Sequence, residues 1–388
     1  MPKPPTRTHA LDNLRTSLTA LVVLHHASIP YGGAGSWLYA SRLYVPNSSP
    51  TIVAVFLWEK WRRLGVPTLV YSLVGKGLVR GIIAARLRDE TWRGVGREVL
   101  EGVGSEKGVS GPMWYCAVLF IFDVAYAVLL PLHFARASTQ KLLSSMPPNT
   151  AEPSSTVLKT TSEPRPFDTV LVLIALCLTS TSSFIIRLSY PVGTHLWPLS
   201  LQLAYTPQYT MYYIVGVYIH RTGYSLHTAI SPRTLRIVGT ITGVITVVGF
   251  VWIRALLDQG VVVAHVFPLA SGGANFLALL YAFWNEFAGF VIASFLLRAF
   301  HDPNLGFLAK EWRVGGVEVE VAKYSYAAFL VHTPLLVDLQ CLFSKWGLED
   351  IGTVPSVLIV GILAVVESWL VGAMLKVSVE ELGFKGYL

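Results

Sequence analysis

The chain has 388 residues, of which 53% are hydrophobic and 14% charged, and its formal net charge is +7. Because soluble domains carry about 25% charged residues, this composition and the long apolar runs exclude an ordinary soluble protein and indicate an integral membrane protein. We therefore expect the excess positive charge in cytoplasmic loops, and a lipid bilayer, not nucleic acid, as the partner of this chain.

Nine apolar segments predict the fold class, an all-α polytopic membrane helix bundle. Each segment approaches the roughly 20 residues that a helix needs to cross a bilayer. The segments lie at residues 11–31, 66–86, 112–134, 167–189, 201–219, 237–257, 272–297, 324–343 and 354–375. We expect one domain over residues 1–388, with a flexible cytoplasmic linker rich in Ser, Thr and Pro at residues 137–166.

The first apolar segment carries a stripe of polar residues at spacings of 3, 4 and 7, formed by Asp12, Arg15, Thr19 and His26. These spacings place all four on one face of an α-helix. Because polar side chains are costly against lipid, this face should border the protein interior or a water-filled channel. An imidazole in an apolar pocket tends to stay neutral, which is the form that a general base needs. The alternatives are a snorkelling anchor at Arg15 and a helix-packing histidine at His26.

Loops rich in Lys and Arg predict the orientation of the bundle. Three alternate loops, at residues 135–166, 220–236 and 298–323, are basic, which places them and the C-terminus in the cytoplasm. The N-terminus and the cluster at residues 60–63 are also basic, although a single predicted span separates them. The alternation of basic and less basic loops therefore fails between these two clusters.

The segment between the two clusters is a poor membrane span. It contains Arg42, two prolines and the run Asn47-Ser48-Ser49, and its longest apolar run covers residues 51–58. That run is too short to cross a bilayer. We predict that residues 36–56 contain no complete span, and we infer that a helix is missing here or that the segment re-enters the membrane without crossing it.

A basic cluster precedes Pro67 at the start of the second predicted span. Lys60 and Arg63 are three residues apart and so share a helical face. The pair is either ordinary positive charge at the cytoplasmic surface or a clamp for the phosphates of a cytosolic cofactor.

Two further ionisable residues lie inside predicted spans. Glu286 follows Asn285 in mid-span, where a carboxylate is costly and indicates function, unless Arg254 or Arg187 pairs with it. His332 lies in the eighth predicted span. The sequence contains no spacing of His, Cys, Asp or Glu that is typical of a metal site.

Several of these residues fall within segments that resemble those of a known family. The segments are LDNLRTSLTALVVLHH (11–26), FLWEKWRRLGVPTLVY (56–71), GPMWYCAVLFIFDVAYA (111–127), LQLAYTPQYTMYYIVGVYIHRTGY (201–224), FWNEFAGF (283–290) and YAAFLVHTPLL (326–336). Their order resembles that of the acyltransferase-3 family of integral membrane acyltransferases, most closely its fungal members. The resemblance covers nearly the whole chain.

The resemblance implies a membrane-embedded O-acyltransferase. It would move an acyl group, often acetyl, from acyl-coenzyme A (acetyl-CoA) to a hydroxyl of a carbohydrate, lipid or small natural product. The motifs imply catalytic roles for His26 and Arg15 and a cofactor-binding role for Lys60 and Arg63. Further candidates for the same pocket are Asp12, His332 and Glu286.

One departure from the family pattern leaves alternatives open. Family members normally carry a second spanning helix between the histidine and the FLxxKxxRLxxP segment, and this chain lacks it. A catalytically inactive member of the family is one alternative. A transporter of small polar solutes is another, since it would also explain Arg, His and Glu inside the membrane. Coenzyme A binding would distinguish an enzyme from a transporter.

Overall fold

The computed structural model describes residues 9–28, 57–105, 109, 113–144, 166–222, 228–305, 307, 313–314 and 317–384, with the backbone alone at residues 9–10, 24–28, 129–144, 220–222, 303, 313–314, 317–320, 349–350 and 353. The described residues form eleven helices, so the all-α prediction is confirmed. The helices are α1 His9–Ser28, α2 Leu57–Arg86, α3 Trp92–Gly102, α4 Met113–Ser144, α5 Thr169–Arg187, α6 Thr206–Thr222, α7 Pro232–Asp258, α8 Val263–Ser271, α9 Phe276–His301, α10 Val321–Lys345 and α11 Thr353–Glu381. Two short antiparallel hairpins pair β1 His195–Leu196 with β2 Leu201–Gln202, and β3 Arg313–Val314 with β4 Val317–Glu320.

A helix occupies each of the nine predicted spans. Among the described residues, six helices are long and apolar enough to cross a membrane: α2, α5, α7, α9, α10 and α11. The remaining three positions hold α1, α4 and α6, so the count of nine crossings stays a prediction. Helix α4 continues to Ser144, into the segment predicted as a linker, whose residues 145–165 lie outside the described part of the chain.

Helix α2 is the least apolar of the six helices able to cross a membrane, and its charge is balanced by α3. Arg80 of α2 forms an ion pair of 2.8 Å with Glu98 of α3. The two helices pack closely through glycines, because a Cβ added at Gly102 would lie 2.4 Å from the Cα of Gly77. The sequence pattern did not predict α3, whose main role in the fold is to cover this part of α2.

Tertiary contacts assign the helix ends to two opposite faces of the bundle. Leu14 of α1 packs against Phe300 near the end of α9, and Arg298 of α9 donates a hydrogen bond to the carbonyl of Ile230, just before α7. The amide of Phe167, before α5, donates to the carbonyl of Ala229, which also lies just before α7, over 2.8 Å. The starts of α1, α5 and α7 and the end of α9 therefore lie at one end of the bundle, which we name the N-terminal face.

The other helices fit the same two faces. At the end of α6, the centroid of the Tyr218 ring lies 5.7 Å from that of the Phe167 ring. Val217 of α6 and Leu57, at the start of α2, both pack against Ala127 of α4. The indole of Trp369 in α11 donates to the carbonyl at the start of α10 over 3.2 Å. The helices that flank the three basic loops, and the end of α11, thus share the N-terminal face. This is the grouping that the loop charges predict.

Helices α1 and α2 run in the same direction, from the N-terminal face to the opposite face. Val23, late in α1, packs against Leu336 and Phe343 in the second half of α10. Arg86, at the end of α2, binds Asp338 in that same half of α10, with a shortest distance of 2.7 Å. Ser28 and Leu57 therefore lie at opposite faces of the bundle, which agrees with the broken alternation of loop charges. The predicted lack of a span in residues 36–56 itself falls outside the described residues.

Candidate functional site

Helix α1 forms a buried polar interface with α10 and α11, which we name the polar seam. Helix α1 packs along both partners, and α10 and α11 approach so closely that a Cβ at Gly372 would lie 2.6 Å from the backbone nitrogen of Ala328. Buried polar side chains of these three helices are Asn13, Thr16 and Thr19 of α1, Ser325 and His332 of α10, and Ser368 of α11. Leu336 of α10 packs with Val23 of α1, and His332, one turn before Leu336, shares that face of α10 by helical spacing. A common pocket for His332 and the stripe of α1 stays a prediction.

His332 is fully buried in the seam. Its Nδ1 lies 2.6 Å from the carbonyl oxygen of Phe329, and its Nε2 lies 3.4 Å from the hydroxyl of Thr333. Because a carbonyl oxygen can only accept, Nδ1 must carry a proton. In the neutral ring this leaves Nε2 as an acceptor, which is the tautomer that can take a proton.

The polar stripe of α1 is only partly buried. Arg15 lies 3.8 Å from Asp12, one turn earlier, and their side chains are 37% and 17% exposed. Thr19 is buried, together with Asn13 and Thr16, two positions that the spacing argument missed. The most buried face of α1 therefore lies slightly to one side of the predicted stripe. The side chain of His26 lies outside the described residues, so its place in the stripe stays a prediction.

Lys60, predicted to bind the cofactor, belongs to a buried ion cluster between α2, α4 and α6. Its Nζ lies 3.3 Å from Asp123 Oδ2, and the two side chains are 14% and 2% exposed. The hydroxyl of Tyr213 donates to the other carboxylate oxygen of Asp123 over 2.9 Å. We name these three residues the Lys60 cluster. Each charged or polar end in it faces a partner of complementary character.

Arg63 faces away from the Lys60 cluster. Its side chain is 57% exposed and lies 4.0 Å from Glu59, while its carbonyl accepts a hydrogen bond from Tyr326 of α10. Residues Trp61–Gly65 form a π-helical turn, which is wider than an α-helical turn and is frequent at functional sites. Lys60 is thus buried and Arg63 exposed, although the α-helical spacing had placed them on one face.

A second buried charged cluster lies between α5, α6 and α9. Arg187 is fully buried, and its guanidinium carbon lies 5.3 Å from the Tyr205 ring centroid and 4.9 Å from the Tyr281 ring centroid. Among the described residues, none of its three nitrogens has a hydrogen-bond partner. Cation–π contacts with two tyrosines are thus its only close polar interactions in this part of the chain.

Glu286 completes this second cluster. It is fully buried, and its Oε1 accepts from Asn285 over 3.1 Å. Its Oε2 has no hydrogen-bond partner within the described residues, although Gln208 and Arg187 both face the carboxylate. We name Arg187, Tyr205, Gln208, Tyr281 and Glu286 the Arg187 cluster. Of the two partners considered from the sequence, Arg187 is beside Glu286, whereas Arg254 pairs with Asp258 at 3.2 Å.

Tight backbone packing fixes the Arg187 cluster. The carbonyl of Arg187 accepts from the amide of Gly273 over 3.1 Å, and a Cβ at Gly272 would lie 2.7 Å from that carbonyl oxygen. The hydroxyl of Ser183 donates to the carbonyl of Ala204 over 2.6 Å, which ties α5 to the residue before Tyr205. Sequence reasoning missed every member except Glu286 and its candidate partner Arg187. The sequence did contain one signal for this cluster: an arginine at the end of an apolar helix, followed by a helix whose start is rich in Tyr and Gln.

The described residues contain no group of three or more His, Cys, Asp and Glu that could hold a metal ion. His195, in the first hairpin, is exposed, and its Nδ1 lies 3.1 Å from the carbonyl of Ser200. Acid–base candidates in the described interior include those of the polar seam and of the two ion clusters.

Comparison with known proteins identifies the family. A family model for an acyltransferase domain matches residues 8–373, which extend from the start of α1 into α11. No curated protein and no solved structure gives a significant match. The six helices able to span a membrane agree with the integral membrane character of the segments that resemble this family. The chain belongs to the acyltransferase-3 family and is a multi-pass membrane transferase that moves acyl groups other than aminoacyl groups.

Proposed function

We propose that the donor is acyl-coenzyme A, with acetyl as the transferred group, and that the acceptor is a hydroxyl of a carbohydrate, lipid or small natural product. The observation that supports this proposal most is the polar seam. It joins the first helix, which carries Arg15 and His26, to the fully buried His332 in a chain of this family. Histidines in a water-poor interior suit proton transfer from a hydroxyl.

We place the donor at the N-terminal face, which we propose to be cytoplasmic together with the C-terminus. Coenzyme A is anionic and cytosolic, and the basic loops leave the bundle at this face. Arg63 is 57% exposed and can meet a phosphate through its planar guanidinium. Lys60 is already bound to Asp123, so it would support the turn that presents Arg63 and contact the cofactor only if that ion pair opened.

In the proposed reaction, the acceptor oxygen attacks the thioester carbonyl carbon and the carbon–sulfur bond breaks. His26 takes the hydroxyl proton, directly or through a water, and returns it to the departing thiolate. Arg15 orients the donor or stabilises the negative charge that develops on the carbonyl oxygen. In the alternative route, His26 first carries the acyl group covalently and then passes it to the acceptor. Intact mass measurement after incubation with acetyl-CoA alone would reveal such an acyl-enzyme.

Binding of acetyl-CoA to the full chain in lipid nanodiscs tests the donor. We expect saturable binding that weakens as salt rises, because phosphate contacts are electrostatic. Saturable binding with release of the free thiol would support the enzyme. Binding without thiol release under any acceptor condition would favour an inactive family member. Complete absence of binding would favour the transporter, for which the incompletely bonded Arg187 and Glu286 would then line the solute path.

A further inference from the structure

Buried polar atoms without partners concentrate between α5, α6 and α9. Within the described chain, buried atoms with no hydrogen-bond partner in this region are Ser180 Oγ, the three guanidinium nitrogens of Arg187, Thr206 Oγ1, Tyr212 Oη and Glu286 Oε2. Folded proteins satisfy nearly all buried polar groups, and a local accumulation of exceptions calls for a bound molecule or a function. This concentration therefore distinguishes the Arg187 cluster from the rest of the interior.

The unmet hydrogen-bonding capacity is of two kinds. Arg187 offers only donors, because a guanidinium has no acceptor. Glu286 Oε2 offers an acceptor position, and Tyr212, one helical turn after Gln208 on α6, offers a buried hydroxyl without a partner among the described residues. A molecule that fills the cluster must therefore accept hydrogen bonds at one end and donate them at the other.

The charges of the cluster define the ligand further. When Glu286 is ionised, its negative charge balances the positive charge of Arg187, although no ion pair within 4.0 Å joins these two described side chains. A simple anion would be repelled by Glu286 and a simple cation by Arg187. A neutral molecule with several hydroxyl groups satisfies both residues, since each hydroxyl both donates and accepts.

The aromatic side chains suit the same kind of ligand. The rings of Tyr205 and Tyr281 flank Arg187, and the Trp284 ring stacks beside Tyr281 with centroids 6.2 Å apart. Aromatic rings combine a large apolar face with a polar edge. Such faces match the C–H side of a ring-shaped polyol, while Arg187 and Glu286 match its hydroxyl edge.

The Arg187 cluster also lies apart from the proposed donor face. Arg187 ends α5 at the face opposite the N-terminal face, where Gly273 binds its carbonyl. We propose that the cluster binds the hydroxyl-rich part of the acyl acceptor, a neutral polyol such as a sugar or cyclitol. This assignment rests on the proposed function, since it gives the second substrate its own site.

Thermal unfolding of the full chain in nanodiscs without glycolipid tests the assignment. The probes are D-glucose and myo-inositol, with sodium sulfate as an anion and acetyl-CoA as the donor. The variant is Arg187→Met, which removes the charge at similar length. The matched control is Arg254→Met, because Arg254 lies near the same face of the bundle, in α7, but is exposed and paired with Asp258.

We expect at least one polyol to raise the unfolding temperature of the unmodified chain by a few degrees, saturably. Arg254→Met should respond equally, whereas Arg187→Met should not respond. Without polyol, the double variant Arg187→Met with Glu286→Gln should unfold no earlier than the unmodified chain, because it removes both buried charges together.

Three results would overturn the assignment: no saturable polyol response in the unmodified chain, an equal response in Arg187→Met, or a sulfate response that replaces the polyol response. A fall of several degrees in the double variant Arg187→Met with Glu286→Gln would also overturn it, since it would make the buried charged pair structural. Acetyl-CoA separates this proposal from the previous one. If acetyl-CoA stabilises the chain and polyols do not, the acceptor subsite alone fails; if polyols act through Arg187 and acetyl-CoA does not bind, the donor alone fails.

Discussion

Two buried charged clusters share helix α6 and differ in how completely their members are bonded. In the Lys60 cluster, Asp123 Oδ1 accepts a hydrogen bond from the Tyr213 hydroxyl over 2.9 Å, and Oδ2, which has no hydrogen bond among the described residues, lies 3.3 Å from the Lys60 ammonium in an ion pair. In the Arg187 cluster, the guanidinium and one carboxylate oxygen lack hydrogen bonds within the described structure. A buried charge with its partners in place supports the fold, whereas one without them indicates a site that waits for a ligand. Adjacent residues of one helix thus serve different purposes.

The largest effect should follow from opening the Lys60 cluster. Asp123→Ala leaves the ammonium of Lys60 buried without its partner, which costs about 3–5 kcal/mol of unfolding free energy. The double variant Lys60→Met with Asp123→Leu removes both charges and should recover most of that loss. Denaturant unfolding in detergent micelles measures both. A double variant as unstable as the single one would mean that the pair is needed for more than its mutual attraction.

A pair of neighbouring tyrosines sharpens the comparison. Tyr213→Phe removes a hydrogen bond to a buried carboxylate and should cost about 1.5–3 kcal/mol. Tyr212→Phe removes a hydroxyl that has no partner among the described residues, so the unfolding free energy should change by less than about 0.5 kcal/mol. The same unfolding experiment compares the two. Equal losses in both variants would remove the distinction between the clusters.

A smaller effect should separate Lys60 from Arg63. Arg63→Ala should weaken acetyl-CoA binding about tenfold, as expected for loss of one charged phosphate contact. The double variant without the Lys60–Asp123 pair should bind acetyl-CoA nearly as well as the unmodified chain, because Lys60 is turned inward. Binding isotherms at two salt concentrations measure this. A larger loss of acetyl-CoA affinity in the double variant than in Arg63→Ala would mean that Lys60, and not Arg63, contacts the phosphate.

Hydropathy and loop charge predicted the helices and the face of the bundle at which each helix ends, because both properties depend only on neighbouring residues in the chain. They did not predict α3, since its role depends on Gly77 and Arg80 of another helix. The shared face of Lys60 and Arg63 was inferred from α-helical geometry, which the π-helical turn at Trp61–Gly65 changes. Periodicity alone cannot reveal a turn of that kind.

The candidate site also has one part that the sequence predicted and one part that it did not. The seam was partly predictable, because a polar stripe on an apolar helix has a cost that can be read from spacing, and the burial of His332 is consistent with an interior role. The Arg187 cluster was not, since Arg187 and Glu286 are about one hundred residues apart and meet only through the packing of α5 against α9. An intramembrane Glu286 predicted either a function or a structural partner. The tertiary structure was needed to show that Arg187 is its neighbour and that one of its carboxylate oxygens has no hydrogen bond among the described residues.

The central claim is that the first helix supplies the base for acyl transfer, and adjacent histidines test it most directly. Membrane vesicles that contain the chain, with their endogenous acceptors, are incubated with radiolabelled acetyl-CoA, and label incorporation is measured for the unmodified chain, His26→Ala and His25→Ala. We predict that His26→Ala lowers transfer by about 10²–10⁴-fold while acetyl-CoA binding is kept. His25→Ala should cost far less, because it points about 100° away from the stripe. Near-normal transfer by His26→Ala, or an equal loss in both variants, would contradict the account.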